Sequence, residues 1–215
     1  MEEVVKTPES EARKGLDLPW LASCAAVTVV ATFLRFFWLG LKPFHHDEGV
    51  NGWFLTNLFR DGEYRYDPAN YHGPTLYYIS LAFSKVFGLE TLTVRWSVAV
   101  WGVLTVVLAF YLRRYIGRVG SLSAAALIAL SPGMVFISRY FIHEMFFVFL
   151  GLALVLAVIF FIENRPAGPG AIGWMSIVLL AAFFPTNLSS AIWLSGGETA
   201  SISWLVTFFV FEAVL

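Results

Sequence analysis

Four consecutive ionisable side chains, His45-His46-Asp47-Glu48, follow directly on a long apolar run. Carboxylates packed at such a boundary lose hydration, which favours a raised pKa and the work of a general base. Asp47 also has the side chain of a helix N-cap, and the two readings are compatible because a capping carboxylate is held rigidly. A divalent metal is a third reading: His46 and Asp47 suit Zn²⁺, Mn²⁺ or Mg²⁺. Adjacent residues rarely all reach one ion, so a metal needs a further ligand, for which His72 and Glu144 are the candidates. Tyr71-His72-Gly73-Pro74 opens a short apolar segment containing Tyr77 and Tyr78. The free N–H groups of a helix start suit a phosphate, and His72 adds a donor. A turn followed by an interfacial aromatic belt is the plainer reading of the tyrosines. Finally, Ser138-Arg139-Tyr140-Phe141-Ile142-His143-Glu144 joins two apolar runs. Arg139 and His143 suit a phosphate or substrate and Glu144 a second acid, or else Arg139 and Glu144 pair as interface anchors. Arg95 and Glu198 are weaker cases of the same kind.

The elements that must position these residues are membrane helices. Of 215 residues, 58% are hydrophobic and only 13% charged, against about 25% charged in an ordinary soluble domain. Mean hydropathy is +0.72. This balance excludes a disordered chain and a nucleic-acid binder with a broad basic face. The net charge of −1 steers no acidic partner. The single cysteine, Cys24, excludes a disulfide framework and a cysteine-based metal cluster. There is no P-loop and no G-x-S-x-G nucleophile elbow.

A polar tail, residues 1–17, precedes a first span over 18–41, too long and too poorly flanked for a signal peptide. Arg35 lies near its far end, where a long side chain can snorkel to the interface. A polar loop over 42–91 follows. Within it Val50, Trp53, Phe54 and Leu58 fall on one helical face, opposite Asn51, Thr56 and Asn57, which predicts an amphipathic helix lying in the interface. The run 74–87 is short for a span and suits an interfacial or re-entrant helix. Further spans are expected over 92–112, 120–141 (interrupted by Ser131-Pro132-Gly133), 145–162 and 171–194, with a last run from Thr199. The expectation is therefore an all-α, polytopic transmembrane chain of about five to six spans, with residues 18–215 as one module. The tail with Lys6, Arg13 and Lys14 and the cluster Arg113, Arg114 and Arg118 are expected to be cytoplasmic. They share a side if 74–87 does not cross, which places loop 42–91 and segment 138–144 together on the outer face.

The order of these features resembles the GT-C superfamily of membrane glycosyltransferases. Arg35-Phe36-Phe37-Trp38-Leu39-Gly40, His46-Asp47-Glu48, His72-Gly73-Pro74, Val94-Arg95-Trp96-Ser97, Ser138-Arg139 and His143-Glu144 carry the likeness. It is nearest to glycosyltransferase family 39, the protein O-mannosyltransferase-like enzymes, and to a flippase-activity-associated prokaryotic branch. The resemblance implies transfer of a sugar from a polyprenyl-phosphate donor to a glycan, lipid or protein acceptor outside the membrane. Asp47 would deprotonate the acceptor hydroxyl and Glu48 would position Asp47 or the acceptor. His72 and Arg139 would meet the departing lipid phosphate, with His143 and Glu144 near the substrate. Departures are Gly73 for the first proline of a Pro-Pro pair, Glu144 where aspartate is common, and Gly197 where lysine is usual. Members are usually far longer, so an N-terminal fragment is expected. The rival readings are a non-catalytic transport or lipid-flipping accessory protein and an inactive remnant.

Overall fold

A computed structural model describes residues 17–65, 67 and 74–164 of the chain. All regular structure among them is helical. Helix α1 (Leu18–Phe36) starts after Asp17 with Pro19 in its first turn, where a missing N–H does no harm. Helix α2 (His46–Asp61) starts from an extended His45 and stops at Gly62, whose φ of 77° needs a glycine. Helix α3 (Thr75–Phe87) ends at Gly88. Helix α4 (Thr91–Ala109) runs through a 3-10 turn (Phe110–Leu112) into α5 (Arg113–Leu130), which is broken at Gly117. Ser131 caps the short α6 (Pro132–Ser138), and α7 (Glu144–Asn164) follows a tight junction.

Among the described residues, two stretches are long and apolar enough to cross a bilayer: Leu18–Phe36 and Thr91–Leu130, the latter being α4 and α5 together. Ion pairs link the helices at one end. Asp17 takes Arg118 at 2.7 Å and Arg113 at 3.2 Å, and Glu163 of α7 takes Arg114 at 3.2 Å. The Trp20 ring meets Phe110 and the Arg113 guanidinium. The start of α1, the α4–α5 turn and the end of α7 therefore meet at one end of the bundle. Helix α4 runs antiparallel to α1, and α5 returns beside α1 along a seam of Ala31, Val106, Ala109, Ala125 and Ala129. The four ionisable residues of 45–48 lie at the opposite end.

The run 120–141 is divided where Ser131-Pro132-Gly133 interrupts it. Proline 132 offers no N–H to the Ile128 carbonyl four residues back, so α5 stops and α6 starts anew. Other expectations are corrected. Arg35 does not snorkel. It is fully buried and supplies the missing donors, with Nη2 to the Ile128 carbonyl at 3.0 Å, Nη1 to Ala129 at 3.2 Å and Nε to Ser138 Oγ at 3.2 Å. The buried face of α2 is Glu48, Asn51, Phe54, Leu55 and Leu58, while Val50 and Trp53 are exposed. Asn51 belongs to the core face because its amide donates to the Phe141 carbonyl and accepts the Tyr77 hydroxyl. Tyr77 is likewise core rather than an interfacial belt residue, whereas Tyr78 is exposed. The expected span 171–194 and the run from Thr199 lie outside the described residues.

At Gly102 of α4 the packing leaves no room for a side chain. A Cβ there would meet Arg35 Nε at 2.7 Å and crowd Ser138 Oγ. Gly102→Ala is expected to lower stability by about 1–3 kcal/mol through overpacking, read as an earlier thermal unfolding transition in detergent.

Candidate functional site

The site grows from the first turn of α2. Glu48 is 1% exposed, yet its carboxylate is fully provided for. Arg95 Nε donates to Oε1 at 2.8 Å and Nη2 to Oε2 at 2.7 Å, a fork-on-fork pair. The backbone N–H of Phe141 adds a bond to Oε1 at 2.9 Å, and that of His45 one to Oε2 at 3.3 Å. Arg95 also donates from Nη1 to the carbonyls of Leu39 and Lys42 and from Nη2 to Pro43. With Glu48, these contacts engage all five of its guanidinium N–H groups. The link from α1 to α2 is thus wrapped around one buried ion pair.

Asp47, the neighbouring residue, has the opposite environment. Its side chain is 63% exposed, and its Oδ1 lies 2.7 Å from Nδ1 of the still more exposed His46. Two adjacent carboxylates therefore divide the work: one is sealed and saturated, the other is open. A helix makes this separation unavoidable, since neighbours point about 100° apart.

Arg139 sits between α6 and α7 and closes the end of α1. Its Nη1 donates to the carbonyls of Leu34 and Phe37, both at 2.7 Å, and Nη2 reaches Trp38 at 3.4 Å. The Leu34 and Phe37 carbonyls are among the groups that a helix end leaves without partners. Trp38 stands at φ 51°, a left-handed conformation unusual for so bulky a residue. Arg139 pairs with no carboxylate among the described residues, so it is not the anchor partner of Glu144. Burial lowers its pKa, and the nearby charge of Arg95 adds to the shift. A cleft of about 500 Å³ opens here, with Trp38, Lys42, His45, Glu48, Arg95 and Arg139 on its walls.

Tyr140 also lines this cleft. Its hydroxyl lies 3.1 Å from His45 Nδ1 and 3.3 Å from the His45 carbonyl. Burial pushes the phenol pKa up, and the charges of Asp47 and Glu48 push the same way. His143 packs edge-on against the buried Tyr77 ring, and Glu144 is exposed as the first residue of α7. The structure thus gathers Glu48, Arg95, Arg139, His45 and Tyr140 around one cleft, with Asp47 beside them. His72 lies outside the described residues. No group of three His, Cys, Asp or Glu side chains among the described residues is placed to hold a metal ion. His46, Asp47 and Glu144 do not form such a group.

Arg95 and Tyr140 matter more than their sequence context suggested. For Arg95 the signal was present: it is the one charged residue in the run 92–112, and a buried arginine in an apolar helix requires a partner. For Tyr140 no sequence signal distinguished it from the surrounding aromatics.

No curated protein and no solved structure matches the chain. Residues 26–192, most of its length, match the family described as dolichyl-phosphate-mannose-protein mannosyltransferase. The match includes the 45–48 turn, Arg95 and the 138–144 junction. The chain belongs to that family, a GT-C family of membrane glycosyltransferases that draw on a lipid-linked sugar donor.

Proposed function

We propose that the chain is a glycosyltransferase module that moves a sugar from a polyprenyl-phosphate donor to an acceptor hydroxyl on the outer face of the membrane. The observation that supports this most is the division of roles between Asp47 and Glu48 at one helix start. An exposed carboxylate fixed by a buried neighbour is suited to act as general base on a substrate arriving from water. In this reading Asp47 takes the hydroxyl proton as the acceptor oxygen forms its bond to the anomeric carbon. The bond from that carbon to the phosphate oxygen breaks on the opposite side, and the configuration inverts. The lipid phosphate leaves with the bonding electrons. Arg139, whose Nε–H has no partner among the described residues, and His72 meet its charge. In the same reading His143, just before α7, and Glu144, its first residue, serve substrate binding.

The end of the bundle with Arg113, Arg114 and Arg118 is assigned to the cytoplasm by its excess of basic residues. That puts the Asp47 end outside, where an acceptor would arrive. The donor to try first is polyprenyl-phosphate mannose, because the family description names that sugar. In vesicles containing this lipid, the purified chain is expected to label a protein acceptor. A complete absence of transfer, with lipid flipping retained, would favour the accessory reading instead.

A further inference from the structure

Asp47 has no buried side-chain tether of its own, so its position is that of the α2 backbone. The first turn of α2 is closed by the His45 carbonyl, which accepts the Glu48 N–H at 2.7 Å and the Gly49 N–H at 3.4 Å. The junction between α6 and α7 grips this turn. Phe141 N–H bonds the Glu48 carboxylate, the Asn51 amide bonds the Phe141 carbonyl at 2.9 Å, and the Tyr140 hydroxyl reaches both His45 Nδ1 and the His45 carbonyl. One hydroxyl carries one proton. Both contacts are satisfied when Tyr140 donates to the carbonyl and accepts from a proton on Nδ1. The Tyr140 ring is stacked on Phe136 at 5.3 Å between centroids, so the ring has support independent of the hydroxyl.

We propose that Tyr140 is a positioning residue for Asp47, acting through His45 at the start of α2. The hydroxyl ties the cap residue of α2 to a segment more than ninety residues away in sequence, and so fixes the turn that carries the Asp47 carboxylate. This inference uses the glycosyltransferase reading only for its activity measurement. Small displacements of a reacting group are costly to rate and much less so to binding.

Tyr140→Phe removes the hydroxyl and keeps the stack. It is expected to lower kcat for sugar transfer about tenfold while KM for the lipid-linked donor changes by less than about twofold. Amide exchange at Glu48 and Gly49 is expected to quicken, with exchange in α4 unchanged. An unchanged kcat in an active protein would overturn the proposal, as would unchanged exchange at Glu48 and Gly49. If the wild type transfers no sugar, the glycosyltransferase reading fails alone. The exchange measurement then decides whether Tyr140 holds the turn.

Discussion

Arg95→Ala is expected to destabilise the protein by about 3–5 kcal/mol, because it leaves a buried carboxylate without its counter-charge. Glu48 is 1% exposed and cannot turn to water in place. Loss of the guanidinium also frees the carbonyls of Leu39, Lys42 and Pro43, which hold the link between α1 and α2. Arg95→Lys should recover only part of the loss, since an ammonium cannot reproduce the forked pair and the carbonyl contacts together. The measurement is thermal or denaturant unfolding in detergent, with transfer activity followed in parallel. Equal stability of the alanine variant and the wild type would show that the pair does not hold the turn. A double replacement of Arg95 and Glu48 by apolar residues of similar volume separates the two effects. It should regain stability, because the unpaired charge is gone, while the α1–α2 link stays loose.

Asp47→Asn should do the reverse, leaving the fold intact and stopping the chemistry. The side chain is exposed and its contact with His46 lies in solvent. Its loss costs at most a few tenths to about 1 kcal/mol at a helix start. If Asp47 is the general base, the rate of transfer falls by about 10²–10⁴-fold, with the unfolding transition moved by no more than that small loss. Asparagine keeps the shape but has no oxygen basic enough to hold the proton. Transfer at the wild-type rate by this variant would remove Asp47 from the mechanism. The contrast between the positions is diagnostic: activity without stability is lost at 47, and both are lost at 95.

Much of the candidate site was legible before the fold. The acidic pair, the junction around Arg139 and the apolar runs stand out because charge is scarce in so hydrophobic a chain. The helix over 46–61 was readable in type, from its apolar spacing and the Arg60-Asp61-Gly62 stop. Its facing was read only in part. Phe54 and Leu58 of the expected apolar face are buried, but Val50 and Trp53 are exposed and Asn51 is turned inward by two specific hydrogen bonds with residues 26 and 90 positions away. Burial of a polar group depends on whether a partner is waiting, and a local pattern carries no record of such a partner. Arg35 failed in the same way. Near a helix end an arginine reads as a snorkel, yet Pro132, far along the chain, had left carbonyls that only a long donor could reach.

The sequence by itself determined the solvent, the helical class and the family, because each follows from composition, periodicity or motif order, all of which are local or additive. It also determined which few polar residues needed an explanation. The tertiary structure decided which of them were partners. It sealed Glu48 against Arg95, left Asp47 open, and used Arg35 and Arg139 to close the broken ends of helices distant in sequence. The physical reason is that a charge or carbonyl in a low-dielectric interior must be paired, but many donors along the chain could satisfy that demand. Only the packing of α1 against α4 and α5 selects one.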